Sequence, residues 1–188
     1  MTQVFDKADL AENYEADKSY NPGKSILIRL IWLFFSASFV NSWIPFSGLK
    51  IFILRFFGAK IGRNVIIKPH VSIKYPWRLK LGNNVWVGEK VWIDNLAAVT
   101  IEDNVCISQG AMLLTGNHNY KKSGFDLMLG EINIEQGAWV GAKVLVGPNS
   151  KLASHTVLLA GSVYSGLSDG YSIYSGNPAQ KIRERIIQ

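Results

Sequence analysis

Aliphatic residues recur every six positions through the central and C-terminal parts of the chain. Between residues 101 and 160 they fall at Ile101, Ile107, Leu113, Ile134, Val140, Val146, Leu152 and Leu158. A small or β-branched residue stands four positions after most of them. A period of six differs from the 3.6 of an amphipathic helix. It is typical of a short strand and a turn that repeat on the three faces of a β-solenoid. The sequence therefore predicts an all-β solenoid here.

The same rhythm begins at Ile61. The segments 61–65, 81–85 and 101–105 are in register at intervals of twenty residues, and the interval becomes eighteen after Ile134. One equivalent position within the repeat holds Asn64, Asn84, Asn104 and Asn149, and Gly110 and Gly137 occupy it in other hexads. Asparagine and glycine tolerate a positive φ. These positions are therefore predicted to form the tight corners between strands.

The rhythm breaks once, between residues 119 and 131. Insertions in solenoid proteins form loops on one side of the coil, and that side often binds the ligand. His118 immediately precedes this predicted loop and follows Gly116 and Asn117. The loop and His118 are therefore the first candidates for a functional site.

The N-terminal third has a different character. Residues 1–24 form a polar arm without the basic and apolar pattern of a secretory signal, so we expect an ordinary frayed terminus. Residues 25–58 contain two apolar runs, each shorter than the roughly 20 residues that a transmembrane helix needs. They predict two helices or one broken helix. This segment either caps the open end of the solenoid or lies on the inner membrane surface, and the two roles are compatible.

The predicted β-helix domain extends over residues 59–179. The rhythm fades after residues 168–170, and the Gly-Asn-Pro-Ala sequence at 176–179 predicts a turn. Residues 180–188 carry Lys181, Arg183 and Arg185 and are predicted to form a short basic C-terminal helix.

Charge and cysteine content narrow the functional classes. The net charge of +6 and the pI of about 9.4 favour anionic partners such as phosphates, nucleotide sugars or acidic lipids. Nucleic acid is disfavoured because Lys and Arg are spread along the chain and no nucleic-acid-binding motif is present. Cys106 is the one cysteine, so no internal disulfide can form, and we predict that its thiol packs in the core.

Several sequence blocks are more specific than the hexads. They are Phe57–Gly62, Tyr75–Trp77, Trp92–Leu96, Cys106–Gln109, Thr115–Tyr120, Ala138–Ala142 and Gly176–Ala179. With the hexads, they resemble the hexapeptide-repeat acyltransferases, which are left-handed parallel β-helices. More narrowly, the chain resembles the colanic acid biosynthesis acetyltransferases, near the maltose, galactoside and nodulation O-acetyltransferases. Glu102 and Asp94 depart from the family pattern, which has Gly and Tyr there.

The resemblance implies an acetyl-CoA-dependent O-acetyltransferase, without a metal, that acts directly on a sugar hydroxyl in exopolysaccharide synthesis. The acceptor would be a sugar, a nucleotide sugar or a lipid-linked sugar. His118 would be the general base, Asn95 would bind the sugar, and Asn117 would orient the loop. The coenzyme would be held by Trp139, Gly141, Ala142, Ala160, Gly161, Lys181 and Arg183. A homotrimer in the cytoplasm, or at the inner membrane face, is also implied.

Plainer interpretations of these residues remain open. Asn95 could be a corner residue, Trp139 could pack at a subunit interface, and the C-terminal cations could be a solvated helix face. His70 and His155 fall at corners and are predicted to be solvent-exposed. Their spacing from His118 argues against the three-histidine zinc site of a γ-class carbonic anhydrase. The chain could also be a non-catalytic scaffold docked on the membrane, or an acetyltransferase for an amino sugar or an antibiotic.

Overall fold

A three-sided parallel β-helix forms the body of the protein. The computed structural model describes residues 20–188. Its strands stack into three parallel sheets: sheet A holds residues 60–61, 79–81, 99–101, 132–134 and 150–152, sheet B holds 66–67, 86–87, 106–107, 139–140, 157–158 and 172–176, and sheet C holds 72–73, 92–94, 112–114, 145–146 and 163–164. An antiparallel strand over 179–184 extends sheet B, and two strands over 116–118 and 127–129 form a separate hairpin. The predicted left-handed parallel β-helix is confirmed.

The strands are short because each crosses one side of the triangle. In the first coils they are β1 (Lys60–Ile61), β2 (Ile66–Ile67), β3 (Ser72–Ile73), β4 (Leu79–Leu81), β5 (Trp86–Val87), β6 (Trp92–Asp94), β7 (Val99–Ile101), β8 (Cys106–Ile107) and β9 (Met112–Leu114). The hairpin strands are β10 (Gly116–His118) and β11 (Leu127–Leu129). The remaining strands are β12 (Ile132–Ile134), β13 (Trp139–Val140), β14 (Leu145–Val146), β15 (Ser150–Leu152), β16 (Val157–Leu158), β17 (Val163–Tyr164), β18 (Ser172–Gly176) and β19 (Ala179–Glu184).

The hexad positions form the core. All eight aliphatic residues that mark the rhythm between 101 and 158 are 0% exposed. Parallel pairing aligns them along the axis, with Leu81 beside Ile101, Ile101 beside Ile134 and Ile134 beside Leu152. Burial of such side chains contributes about 1.5–3 kcal/mol each, so this column is the main source of stability.

The predicted corners are also confirmed. Asn64, Asn84 and Asn104 have φ between 54° and 59°, in the left-handed region that few non-glycine residues adopt. The three side chains form a ladder along the edge between sheets A and B, with amide-to-oxygen distances of 3.1 and 3.0 Å. Each asparagine therefore makes the turn and links it to the next coil.

Two helices close the open end of the first coil. Helix α1 (Ile26–Phe35) continues into a π-helical turn (Ser36–Val40), and α2 (Ser47–Phe56) follows. We call residues 26–57 the cap. A β-helix end exposes unpaired backbone groups, and the cap supplies partners for them. Lys50 Nζ donates to Lys68 O at 2.8 Å, Trp32 Nε1 donates to Lys74 O at 2.8 Å, and Arg55 donates to Ile61 O at 2.7 Å.

The capping role predicted for residues 25–58 is therefore correct. Trp32, Val40, Ile53 and Leu54 are buried against the first coil. Lys50 is fully buried, and this burial lowers its pKa. Within residues 20–188, the helices are too short or too polar to cross a bilayer. Of the polar arm predicted over residues 1–24, residues 1–19 lie outside the described residues.

The outward surfaces of the three sheets differ in polarity. The outward ladder of sheet A consists of Lys60, Lys80, Thr100, Asn133 and Lys151. Sheet B presents Trp86, Cys106 and Trp139, and sheet C presents Trp92, Met112 and Leu145. The prediction of a core thiol for Cys106 is therefore wrong. Strand alternation directs Ile107 inward and leaves Cys106 half-buried between two tryptophans.

The predicted C-terminal helix is also wrong. Residues 179–184 form β19, which pairs antiparallel with β18 after the predicted turn at 176–179. Without β19 the last strand of sheet B would present a free edge. Pairing that edge satisfies more backbone groups than an isolated helix of nine residues could. Arg185 extends the contact by donating to Gly137 O and His155 O at 2.8 and 3.0 Å.

Candidate functional site

The insertion emerges at the edge between sheets C and A, which we call the C–A edge. Part of the predicted loop 119–131 is ordered as β11, which pairs with β10 through Gly116–Leu129 and His118–Leu127. Thr115 anchors the base of the hairpin because its Oγ1 donates to Asp94 O and accepts from Ala97 N. The hairpin therefore projects His118 from a rigid coil.

Two contacts fix the ring of His118. Nδ1 lies 2.8 Å from Phe125 O, and the ring stacks on that of Phe125 with centroids 4.5 Å apart and planes at 10°. A carbonyl oxygen only accepts hydrogen bonds, so Nδ1 must carry the proton. The neutral imidazole then has its lone pair on Nε2. This tautomer is suited to accepting a proton at Nε2.

The two asparagines predicted near the substrate have different environments. Asn117 is exposed, and its Oδ1 accepts from the backbone N of His118 at 2.8 Å, as expected for a residue that orients the loop. Asn95 is 0% exposed. Its Oδ1 accepts from Tyr75 N at 2.9 Å and its Nδ2 donates to Tyr75 O at 2.7 Å. These contacts favour the corner interpretation of Asn95 over direct sugar binding.

The small residues predicted along the coenzyme lie at the edge between sheets B and C, here the B–C edge. Ala142 and Gly161 stack on successive coils, since Gly161 N donates to Ala142 O at 2.8 Å. Ala160 and Gly161 are exposed, and a Cβ added to Gly161 would meet nothing within 4 Å. The backbone is therefore accessible here. Gly141 differs, because it is buried and its added Cβ would lie 2.6 Å from Leu158 O.

The remaining predicted coenzyme residues lie on sheet B. Trp139 is 45% exposed, and its Nε1 donates to Ser108 Oγ at 2.9 Å. Lys181 and Arg183 are exposed on β19. Lys181 pairs with Glu184 at 2.8 Å and Asp169 at 3.1 Å, and these carboxylates raise its pKa. Arg183 is thus the freer of the two predicted phosphate ligands.

One protomer does not bring all of these residues together. His118 and Asn117 lie at the C–A edge, whereas Ala142, Ala160 and Gly161 lie at the B–C edge. Sheet C separates the two edges. One protomer therefore holds the two groups of predicted residues on separate edges.

A groove of about 400 Å³ lies on the C–A edge below the hairpin. It is lined by Arg78, residues 96–98, Leu129 and Glu131, with Tyr20 and Asn21 at one end. Leu129 pairs with Gly116, two residues from His118, or about 7 Å along the strand. Arg78 could hold an anionic group there. Arg78 and Phe125 are not among the residues predicted from the sequence, and neither has a signal in the hexad pattern.

The other two histidines lie far from the hairpin in the fold. His70 is exposed at the B–C edge, as predicted. The prediction that His155 is solvent-exposed is wrong, because its ring stacks on the ring of Tyr171 with centroids 4.4 Å apart and is half-buried. Among residues 20–188, no three His, Cys, Asp or Glu side chains are grouped so that they could hold a metal ion.

Comparison with known proteins identifies relatives of this sequence. No family model matches the chain. The "Putative colanic acid biosynthesis acetyltransferase WcaF" of Escherichia coli is 36% identical over 174 residues, which are 92% of this chain and 95% of that protein. Galactoside O-acetyltransferase of E. coli is 28% identical over 130 residues, covering 67% of this chain and 64% of that protein.

Solved structures match the fold. A hexapeptide-repeat acetyltransferase from Vibrio cholerae, complexed with acetyl coenzyme A, has a TM-score of 0.77 at 17% identity and covers 86% of this chain and 88% of its own. A galactoside acetyltransferase in complex with coenzyme A has a TM-score of 0.76 at 22% identity, covering 84% and 80%. With its hexads, its hairpin histidine and its near full-length match, the chain belongs to the WcaF family of hexapeptide-repeat acetyltransferases.

Proposed function

We propose that this acetyltransferase transfers the acetyl group of acetyl-CoA to a sugar hydroxyl during exopolysaccharide synthesis, with His118 as the general base. The observation that carries the proposal is the 2.8 Å contact between His118 Nδ1 and Phe125 O, which leaves Nε2 free. Nε2 takes the proton of the acceptor hydroxyl as its oxygen attacks the thioester carbonyl. The carbon–sulfur bond then breaks, and the proton passes to the departing thiolate. No covalent acyl-enzyme forms.

Acetyl-CoA would lie along the B–C edge. The small exposed residues Ala160 and Gly161 leave room for the pantetheine arm against the backbone. Arg183 on β19 would bind a phosphate, since a guanidinium suits that group. A cytoplasmic location, where acetyl-CoA is available, goes with this proposal.

The active enzyme would be a homotrimer. In a ring of three, each three-sided β-helix contacts its two neighbours through two of its sheets and leaves the third sheet in solvent. The outward ladders fit that arrangement, because sheet A is polar while sheets B and C expose Trp86, Trp139 and Trp92. In such a ring sheet C of one protomer faces sheet B of the next, and the C–A edge of one meets the A–B edge of its neighbour. His118 would then lie at an interface that the neighbour's Trp139 lines and that its B–C edge borders.

Release of free thiol from acetyl-CoA tests the mechanism. The assay compares wild type, His118→Ala and His70→Ala over a panel of sugar, nucleotide-sugar and lipid-linked acceptors. General-base catalysis typically contributes about 10²–10⁴-fold, so we expect His118→Ala to lose that much of kcat. His70→Ala removes an exposed histidine of the first coil, four coils away from Ala160 and Gly161, and should keep wild-type turnover. Equal turnover in all three proteins would exclude His118 as the base.

The same panel distinguishes O-acetylation from the competing functions. An amino sugar or an amine antibiotic that is acetylated faster than every hydroxyl acceptor would assign N-acetylation. A chain that releases no thiol with any acceptor, and whose His118→Ala variant complements a deletion strain, would be a scaffold.

A further inference from the structure

The cap has an apolar outer surface as well as an apolar inner one. One side buries Trp32, Ile53 and Leu54 against the first coil. The opposite side exposes large side chains, including Trp43 (75%), Phe46 (69%), Phe52 (68%) and Phe56 (78%). On α1, Ile26, Leu27, Leu30, Leu33 and Phe34 are 58–66% exposed, and three of them, Ile26, Leu30 and Leu33, line a groove of about 600 Å³ beside Trp92 of sheet C. Exposed apolar side chains in such number mark an interaction site on a folded protein. We call the exposed apolar side chains of α2 and of residues 43–46 the cap surface.

The cap surface faces away from the end of the β-helix. The inner side of the cap bonds to the first coil on each sheet, at Ile61 of sheet A, Lys68 after sheet B and Lys74 after sheet C. These contacts hold the cap across the whole open end of the β-helix. The outward side of α2 and of the 41–46 connection therefore points along the axis of the β-helix.

Charge is segregated toward the same end. Residues 20–88, which comprise the cap, the first coil and the start of the second, contain ten Lys and Arg and no Asp or Glu. Residues 89–188 contain eight Lys and Arg and nine Asp and Glu. Within residues 20–188 the net positive charge is thus concentrated toward the end that carries the cap surface. Lys24 lies directly at its margin, in a groove with Ile28, Ile31 and Phe56.

From this combination we propose that the cap surface docks the enzyme on an anionic lipid bilayer. Short helices with an apolar face and adjacent cations bind in the plane of the bilayer, with the apolar side chains at the boundary between headgroups and acyl chains. Tryptophan and phenylalanine suit that depth, and Lys and Arg are attracted to acidic headgroups. Each helix of the cap has 10 residues, about 15 Å, so it lies on the bilayer and does not cross it.

Docking on the bilayer adds to the proposed function, and it rests on that function in one respect, the assembly of three protomers. In a ring of three with parallel axes, the three cap surfaces would share one plane and bind the same bilayer together. Docking would hold the hairpin sites near acceptors that are anchored in the membrane.

Co-flotation of the full-length protein with vesicles tests the docking. We expect binding to an equal mixture of phosphatidylcholine and phosphatidylglycerol, and weaker binding to phosphatidylcholine alone. Raising the salt from about 0.1 M to about 1 M shortens the Debye length from about 10 Å to about 3 Å, so binding should weaken. The triple variant Trp43→Gln, Phe46→Gln, Phe52→Gln should bind about tenfold or more weakly.

A matched triple variant controls for general loss of apolar surface. Leu167→Gln, Ile182→Gln, Ile186→Gln removes exposed side chains distant from the cap and should bind like wild type. The cap variant should retain wild-type thiol release with a water-soluble acceptor, so that failed docking is distinguished from failed catalysis. Absence of flotation with both vesicle types would overturn the proposal. Association of trimers through their caps, lost in the cap variant, would assign the surface to a second copy instead.

Discussion

Phe125 holds a strained position beside His118. Its φ of 52° lies in the left-handed region, where a bulky side chain is rare. Strain of this kind persists where the surrounding structure enforces it and is concentrated at functional sites. Here the strained residue supplies both the carbonyl that fixes the His118 tautomer and the ring that stacks on the imidazole.

We therefore expect Phe125→Ala to reduce kcat by about tenfold to a hundredfold, since a small misplacement of a catalytic group has effects of that size. KM for acetyl-CoA should change little, because Phe125 contacts the base and not the B–C edge. Steady-state kinetics would measure both constants. Tyr120→Ala, which alters an exposed residue of the same loop, is the control. Equal kcat in the two variants would show that the stacked ring does not orient His118.

At the scale of single residues, the sequence predicts most where a residue belongs to a repeating pattern. The register of Asn84 identified it as a corner, and its positive φ confirms this. The Gly-Asn-His block marks His118 beside the insertion, and its role as the general base stays a prediction. Phe125 could not be found, because its role depends on how an aperiodic loop folds back. Cys106 was misplaced because a hexad pattern gives the inward position and says less about the side chain next to it.

At the scale of elements, the six-residue period predicted the coils well because each strand is specified by its own inward aliphatic residue. The C-terminal segment lacked that constraint. Its polar residues with the single apolar residue Ile182 between Lys181 and Arg183 are compatible with a helix or a strand, and the free edge of β18 decides the outcome. Long-range pairing of this kind is not encoded within the nine residues themselves.

Close packing between coils predicts opposite effects for two Gly→Ala substitutions. A Cβ added at Gly141 would clash with backbone atoms of the next coil, with Leu158 O at 2.6 Å and Ala160 N at 2.8 Å. Gly141→Ala should destabilise the protein by roughly 1–3 kcal/mol, the usual cost of overpacking. Gly48 lies in α2 with nothing within 4 Å of an added Cβ. Gly48→Ala should stabilise it by up to about 1 kcal/mol.

Denaturant unfolding of both variants at one protein concentration would measure the two shifts. A Gly141→Ala midpoint equal to that of wild type would show that the coils can separate locally. In that case the glycine at position 141 would need another explanation, such as direct approach of the coenzyme.

At the scale of the whole molecule, surface polarity differs among the three sheets, and charge differs between the two ends of the β-helix. Sheet A is polar, sheets B and C are apolar, and one end of the axis carries the cap surface and the positive charge. The resemblance drawn from the sequence implied a trimer, and the period predicted three sides. Which sides are apolar became visible only when the strands were assigned to sheets, because Trp86, Trp92 and Trp139 look equivalent in the hexads.

The trimer prediction follows from this division. Trp86→Glu with Cys106→Glu places two charges on the apolar ladder of sheet B, where a neighbour would bury them. Burying unpaired carboxylates is strongly unfavourable, so the double variant should sediment as a monomer. Lys80→Glu with Thr100→Glu makes the same number of acidic side chains on sheet A and should leave the assembly unchanged. Sedimentation velocity would compare both variants with wild type.

Thiol release measured on the same samples tests whether the active site is shared between protomers. If His118 works on a coenzyme held at the B–C edge of the next protomer, a folded monomer has half of each site and should release no thiol. The sheet A variant should keep its turnover. A wild-type protein that sediments as a monomer with full turnover would contradict the shared site, because one protomer does not unite the two edges.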